Sequence, residues 1–154
     1  MQLRPMSQAE LDALLPALKR EYAQDELRAG RGTPEAVHAQ VEDLFARLLP
    51  DGVDSPGQLL FVGVDGDGAV VGRIWLGLPD ERRPQAWVYD IEVDPAHRRR
   101  GYARAMLLAA EEVVRARGVT RLGLNVFGHN PGAQALYESL GYAAMSVQMS
   151  KELT

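Results

Sequence analysis

The feature that most constrains the fold is a change of hydrophobic period along the chain. The N-terminal third places apolar side chains three and four residues apart, which predicts two amphipathic helices. Three apolar segments then predict three strands, over Leu59–Val64, Val70–Leu78 and Ala86–Val93. From Tyr102 onward helical and strand patterns alternate. Neither an all-helical nor an all-strand fold accommodates this order, so the sequence predicts a mixed α/β fold.

Capping and breaking residues set the ends of the first helices. Ser7 and Glu10 fit a capping box, in which each side chain bonds the backbone N–H of the other residue. We expect Pro16 to kink or divide the helix that follows, because proline lacks an N–H group. Thr33 as N-cap, with Pro34 at the first helical position, predicts the start of the second helix.

The last third of the chain predicts two more helices and two more strands. The helices cover Tyr102–Arg117 and Pro131–Leu140, with a strand over Arg121–Phe127 between them. A final strand, Tyr142–Met149, is expected to complete a sheet that starts with a short strand at Gln2–Arg4. No repeat, low-complexity tract or linker interrupts the pattern. Residues 1–154 are therefore predicted to form one domain of order β-α-α-β-β-β-α-β-α-β.

Composition excludes several classes of protein. The chain has no cysteine, which excludes disulfide scaffolds, thiolate nucleophiles and cysteine zinc sites. Its three histidines show no metal-ligand spacing, and the acidic turn Asp65–Gly68 lacks the glutamate that completes a calcium loop. We therefore expect no metal, and a hairpin turn at Asp65–Gly68. No apolar run approaches the ~18 residues of a membrane span, and Pro5, Ser7 and Glu10 interrupt any signal peptide. These patterns predict a cytoplasmic protein without a membrane partner.

Charge is distributed unevenly along the chain. The sequence has 17 basic and 21 acidic residues, a net charge of −4 that argues against a dedicated nucleic-acid binder. Between His97 and Arg121, however, arginines strongly outnumber acidic residues, so this stretch has a positive net charge. The rest of the chain consequently has a net charge more negative than that of the whole chain.

The positive stretch begins at a strand–loop–helix junction. A helix N-terminus offers free N–H groups, Gly101 allows the backbone a close approach, and the arginines add donors suited to phosphate oxygens. This pattern predicts a phosphate or pyrophosphate ligand, with a solvated arginine cluster and a nucleic-acid contact as alternatives. The P-loop and dinucleotide-binding signatures are both absent, as are H-E-x-x-H and G-x-S-x-G.

Two motifs resemble the GNAT superfamily of acetyl-CoA-dependent N-acetyltransferases. The first is the family's Q/R-x-x-G-x-G/A after a strand, which matches Arg98, Arg99, Arg100, Gly101, Tyr102 and Ala103. The second is an Asn before a helix that carries a Tyr, which matches Asn130 and Tyr137, followed by Gly141 and Tyr142. The stretch Trp87–Glu92 also resembles a small bacterial subgroup of acetyltransferases. The resemblance extends from Leu3 to Met149 and implies a mixed, mostly antiparallel sheet flanked by helices.

The resemblance also implies roles for individual residues. Backbone N–H groups from Arg98 to Ala103 would hold the pyrophosphate of acetyl-CoA, and Asn130 would bond its pantetheine arm. The strand backbone at Ile91 and Val93 would pair with that arm and polarise the thioester carbonyl. Tyr137 would protonate the leaving thiolate as general acid. On local grounds Asn130 is also a good N-cap, and an aromatic residue at position 137 is also typical of core packing.

The resemblance assigns no general base. Strand alternation places Tyr89, Ile91 and Val93 on one face of the strand, and Val88, Asp90 and Glu92 on the other. If the first face meets the helices, Asp90 and Glu92 point toward the acceptor cleft, and Glu92 lies nearer the thioester. The alternative is that both carboxylates are simply solvent-facing residues of a half-exposed strand.

The sequence therefore predicts acetyl transfer from acetyl-CoA to a primary amine, either a small molecule or a peptide. Acidic residues near the strand would favour a cationic amine. Two other classes remain open: a non-catalytic acyl-CoA-binding or regulatory module, and a nucleic-acid-binding domain that uses the arginine cluster and binds with steep salt dependence. Pairing of exposed sheet edges would give a homodimer, which the sequence leaves undecided.

Overall fold

The computed structural model describes residues 1–154 and contains a single five-stranded sheet with helices on both faces. The strands are β1 (Gln2–Pro5), β2 (Gln58–Val64), β3 (Val70–Gly77), β4 (Ala86–Val93) and β5 (Leu122–Leu124). The helices are α1 (Gln8–Arg28), α2 (Pro34–Leu48), α3 (Tyr102–Arg115) and α4 (Pro131–Ser139). Strands follow one another in chain order, antiparallel from β1 to β4, and β5 lies parallel to β4. This confirms the mixed, mostly antiparallel sheet.

The sheet separates two hydrophobic clusters. One lies under α1 and α2 and includes Leu11, Leu18, Val37, Phe45 and Trp75. The other lies under α3 and α4 and includes Ile74, Leu76, Val88, Leu107 and Ala110. Alternate residues of β3 therefore contribute to opposite clusters, as the pleat of a strand buried on both faces requires.

The predicted caps form. The Ser7 hydroxyl accepts from the Glu10 N–H, and the Glu10 carboxylate accepts from the Ser7 N–H, which completes the capping box of α1. The Thr33 side chain caps α2, with Pro34 at the first position. At the predicted hairpin between β2 and β3, the Asp65 carboxylate accepts the N–H groups of the turn.

Pro16 does not divide α1, contrary to the prediction. The helix is continuous from Gln8 to Arg28, with Pro16 inside it. Pro16 and Asp12 both lie on the exposed side of the helix. Because proline has no N–H group, the Asp12 carbonyl has no helical donor, and water can bond to it instead. Leu11 and Leu18, on either side of Pro16, are fully buried and hold both halves of the helix to the core.

The predicted face assignment of β4 is wrong at Val88 and Tyr89, because the strand contains a bulge, whereas Asp90 and Glu92 do share one face. Trp75 of β3 lies opposite Asp90, whereas its neighbour Leu76 lies opposite Val88, so that Tyr89 is an extra residue. Val88 and Ile91 consequently pack on the same side of the sheet, in the cluster under α3 and α4. Tyr89 packs with Trp75 under α1 and α2.

The final predicted strand does not form. Residues 143–154 adopt no regular secondary structure, and β5 is shorter than predicted, at three residues. Tyr142 bonds to Glu111 in the middle of α3, and Met145 already contacts Arg121, which precedes β5. Tyr142 therefore lies beside the middle of α3 and Met145 beside the residue that precedes β5, and the outer edge of β5 is left unpaired.

Candidate functional site

A cleft opens where β4 and β5 separate. The two strands pair only between Ala86–Val88 and Leu122–Leu124. Beyond Val88, the side of β4 that faces away from β3 has no strand partner. A cleft of about 450 Å³ lies at this end of β4, between the strand, the start of α3 and the start of α4.

Most of the predicted site residues line this cleft. They are Ile91, Glu92 and Val93 from β4, Arg98, Arg99, Gly101, Tyr102 and Ala103 from the junction, and Asn130 and Tyr137 from α4. Arg100 and Asp90 are not among the lining residues. The cleft adds three residues to the predicted set, namely Arg104, Ala133 and Leu136.

The start of α3 presents free backbone donors to the cleft. The N–H of Ala105 is the first to bond within the helix, to the Gly101 carbonyl, so the N–H groups of residues 102–104 have no helical acceptor. Gly101 has φ +80°, and Arg99, with φ +62°, is the only non-glycine residue with a positive φ. A β-carbon at Gly101 would meet nothing within 4 Å, so the space in front of these donors is open. The arrangement suits an anionic group.

Arg98 connects this junction to the end of β4. Its Nη2 atom lies 2.5 Å from a carboxylate oxygen of Glu92, and its Nε donates to the Val93 carbonyl at 3.1 Å. Both side chains remain partly in solvent, at 54% exposure for Arg98 and 36% for Glu92. Arg100, by contrast, is exposed and makes no ion pair.

Asp90 has a different environment, on the α1 side of the sheet. Its carboxylate accepts from Arg73 Nε at 2.7 Å, and the same guanidinium donates to Glu21 of α1 at 3.0 Å. The side chains of Asp90 and Arg73 are only 13% and 15% exposed. Burial raises the pKa of Asp90 above its ordinary value, although the charge of Arg73 opposes this effect.

The helix α1 also bonds directly to the bulge of β4. The Tyr22 hydroxyl donates to the carbonyl of Tyr89, the extra residue of the bulge. Tyr22 is largely buried, and burial raises the pKa of its hydroxyl, which keeps it a donor. Tyr22 and the Arg73–Glu21 pair together attach α1 to the place where β4 leaves β5.

Tyr137 lines the cleft with its hydroxyl free of any protein hydrogen bond. Burial raises its pKa, and the nearby carboxylates of Asp90 and Glu92 raise it further. The hydroxyl is thus protonated at neutral pH. Its ring packs edge-to-face against Tyr142, with 6.1 Å between ring centroids.

Asn130 and Arg104 position α4 across the cleft. The Asn130 side-chain oxygen Oδ1 accepts the Ala133 N–H at 3.2 Å, which confirms its N-cap role, and Asn130 also lines the cleft. Arg104 Nη1 donates to the Ser139 hydroxyl at 3.2 Å and so links α3 to α4. Sequence reasoning missed Arg104, although its place in the first turn after Gly101 was a usable signal.

The end of α1 and the residues after it contact the loop that leads into α4. Asp25 lies 3.2 Å from His129, and the Arg31 guanidinium stacks 5.2 Å from the Phe127 ring centroid. A second, shallower cavity of about 380 Å³ lies between α1 and α2, with Tyr22 and Glu26 among its lining residues.

No three histidine or acidic side chains converge in a metal-binding arrangement. None of the helices combines the length and apolarity needed to cross a bilayer.

Comparison with known proteins relates this site to one family. The acetyltransferase (GNAT) family model matches residues 17–142. YycN of Bacillus subtilis, described as an uncharacterised N-acetyltransferase, is 32% identical over 152 residues, covering 98% of this chain and 97% of YycN. The crystal structure of YycN superposes with a TM-score of 0.89 over 99% of this chain and 98% of that one. A mycothiol acetyltransferase of Beutenbergia cavernae is 40% identical over 78% of this chain, which spans 39% of that protein.

Proposed function

The chain belongs to the acetyltransferase (GNAT) family, and we propose that it moves an acetyl group from acetyl-CoA directly to a primary amine. Family membership makes the protein an acyltransferase and implies acetyl-CoA as co-substrate. One observation carries the proposal: a single cleft holds the open start of α3, the unpaired side of β4 and the free hydroxyl of Tyr137. Together these groups can bind a pyrophosphate, orient a thioester and supply a proton.

The residues at the start of α3 fit the pyrophosphate of acetyl-CoA. The three free N–H groups of residues 102–104 point out of a 14-residue helix whose N-terminus carries a partial positive charge. Arg98 and Arg99 add full charges beside them. The unpaired side of β4 at Ile91 and Val93 would hold the pantetheine arm, with Asn130 on the other side of the cleft. A backbone N–H of that strand would polarise the thioester carbonyl.

Tyr137 and Glu92 are the proposed acid and base. Tyr137 has the protonated hydroxyl that a general acid needs, in reach of the cleft and unbonded to protein. Glu92 is the carboxylate of β4 that lines the cleft and would accept the ammonium proton, directly or through water. Asp90 is the weaker candidate for the base, since its carboxylate is bonded to Arg73 and does not line the cleft.

An amine with positive charge suits the acceptor side of the site. Three carboxylates, those of Glu21, Asp90 and Glu92, share only two arginines, Arg73 and Arg98, so this cluster carries a net negative charge. The named relatives include a mycothiol acetyltransferase and an enzyme that acetylates the alanine of ribosomal protein bS18. These two names describe very different acceptors. The proposal therefore names the amine as the acetylated group and does not name the acceptor molecule.

The test is turnover with a panel of amines, comparing Tyr137→Phe with Tyr142→Phe. Because the chain contains no cysteine, a thiol reagent detects released CoA without background from the protein. We expect Y137F to lower kcat about 100-fold and to leave acetyl-CoA affinity nearly unchanged, whereas the neighbouring Y142F retains turnover. Unaltered kcat in Y137F would remove Tyr137 from the mechanism. Tight acetyl-CoA binding without thiol release for polyamines, amino acids, aminoglycosides or peptide N-termini would favour the non-catalytic module instead.

We also propose that the chain forms a homodimer through its C-terminal segment. Met145, Val147 and Met149 alternate along this segment and are 77%, 72% and 88% exposed, and the outer edge of β5 is unpaired. Exchange of the segment between two copies would satisfy both the apolar side chains and the strand edge. We expect light scattering to give a dimer mass for the full chain and a monomer mass after truncation beyond Tyr142. A monomeric full chain would contradict this.

A further inference from the structure

The Glu92 carboxylate is paired with a cation of the protein itself, the guanidinium of Arg98. We propose that the Arg98 guanidinium holds the place of the acceptor's ammonium at Glu92 until acetyl-CoA binds and draws Arg98 away. This inference rests on the proposed function, because it assumes that the pyrophosphate binds at the start of α3. It adds that one arginine of the protein, Arg98, couples the binding of the two substrates.

The contact itself supports this assignment. Arg98 Nη2 lies 2.5 Å from the Glu92 carboxylate, and no other cationic side chain bonds to Glu92. Both residues line the same cleft. An ammonium and a guanidinium offer a carboxylate the same interaction, a positively charged N–H donor. An acceptor ammonium could therefore approach Glu92 fully only after Arg98 has moved.

Arg98 is also well placed to change partners. Its side chain is more than half exposed, and an ion pair this close to water is weak. The open N–H groups of residues 102–104 and the guanidinium of Arg99 border the same cleft and mark where a pyrophosphate would sit. A pyrophosphate carries two negative charges and accepts forked bonds from a guanidinium, so it competes favourably with one carboxylate.

The neighbouring pair cannot make the same exchange. Arg73 bonds Asp90 and Glu21 at once and is shielded from solvent, so no entering anion reaches it. Departure of Arg98 would therefore expose negative charge at Glu92 alone. That charge would face the acceptor side of the cleft once acetyl-CoA is bound, which favours a cationic amine as second substrate.

The first experiment measures CoA affinity by calorimetry in the parent protein, Glu92→Gln, Arg98→Gln and the double variant. We expect E92Q to tighten CoA binding about two- to fivefold, since Arg98 no longer has to leave a carboxylate. R98Q should weaken binding about tenfold, and E92Q should then add nothing in the R98Q background. The Glu112→Gln and Arg115→Gln pair is the control, because it removes a more exposed ion pair on α3 outside the cleft. It should leave CoA affinity unchanged.

The second experiment measures binding of n-butylamine by NMR, through the backbone amide shifts of Ile91 to Val93. In the parent protein we expect these shifts only when CoA is already bound. In R98Q we expect them with and without CoA. Equal butylamine shifts in free and CoA-loaded parent protein would overturn the inference, and so would an effect of E92Q on CoA affinity that persists in R98Q.

Failure of the proposed function and failure of the placeholder role of Arg98 give different results. If the parent protein bound no CoA, the proposed function would fall and this inference with it. If the parent bound CoA and acetylated an amine, but E92Q and R98Q acted independently on CoA affinity, only the placeholder role of Arg98 would be wrong.

Discussion

Two ion pairs lie two residues apart on β4 and have opposite characters. Asp90 and Arg73 are shielded from solvent and tied to α1 through Glu21, whereas Glu92 and Arg98 are partly hydrated and tied only to the loop before α3. A buried charge without its partner is very costly, so the first pair is held in place. A hydrated pair contributes little, so the second is free to exchange partners. Burial, more than residue type, therefore separates a structural carboxylate from a chemically available one.

The largest expected effect is on stability, in Arg73→Met. This substitution leaves the Asp90 carboxylate buried without a counter-ion and should lower the free energy of unfolding by about 3–5 kcal/mol. The matched substitution Arg98→Met should cost less than about 1 kcal/mol. Urea unfolding of both variants measures the difference. Equal losses would show that the two pairs do not differ as their burial indicates.

The second effect separates the two carboxylates by their chemistry. Glu92→Gln should lower kcat/KM for the amine about 100-fold, or about 2.7 kcal/mol of transition-state free energy, while the melting temperature stays close to that of the parent. Asp90→Asn should instead lower the melting temperature and have the smaller effect on kcat/KM. Steady-state kinetics and thermal unfolding of both variants test this. A pH–rate profile of E92Q that matches the parent would exclude Glu92 as the base.

A third ion pair, Arg4–Glu10, tests whether solvent exposure alone determines the strength of an ion pair. Arg4 and Glu10 are about as exposed as Arg98 and Glu92, but Glu10 accepts two bonds from Arg4 and one from the Ser7 N–H. These bonds lower the pKa of Glu10 to about 2. Glu10→Gln should cost about 1 kcal/mol, because glutamine keeps the capping box but loses the charge that pairs with Arg4.

The pH dependence of this contribution has a definite sign. Because the folded-state pKa of Glu10 is depressed, its stabilising effect is complete above the ordinary value of 4.5 and is lost as the pH falls toward about 2. The stability difference between the parent and E10Q should therefore shrink over this range in acid unfolding curves. A constant difference would contradict the ion-pair contribution.

The smallest effect is a pH dependence of opposite sign at Asp90. Its pKa is raised in the folded protein, chiefly by burial, so the folded state binds a proton at a pH where the unfolded chain does not. Relative to Asp90→Asn, the parent should gain stability as the pH is lowered toward the ordinary value of 3.8. The effect is small because Arg73 opposes it. A relative loss of stability on acidification would mean that Arg73 outweighs burial.

Local signals predicted much of the fold. The capping box at Ser7, the Thr33–Pro34 start of α2 and the strand Ala86–Val93 were all confirmed, because each depends on neighbours within a few residues. The junction from Arg98 to Ala103 does lie at the start of a helix, in a cleft that also contains Tyr137. Neighbouring residues suffice to specify a cap, a period or a turn.

The errors came from features that depend on distant parts of the chain. Pro16 is accommodated in α1 because buried leucines on either side hold the helix to the core. The bulge at Tyr89 depends on the register with β3 and on the Tyr22 hydroxyl, neither of which strand alternation can reveal. The last strand was predicted from alternation alone, yet residues 143–154 pair with no strand and leave the outer edge of β5 free.

The sequence by itself determined the order of the elements, their caps and the concentration of arginine and glycine at the start of α3. Only the tertiary structure decided which β4 carboxylate is buried with Arg73 and which meets Arg98 in the cleft. The physical reason is that period and capping are short-range properties, whereas the burial of a charge depends on what packs over it. For Asp90 that is α1, a helix that precedes it by some sixty residues in the chain.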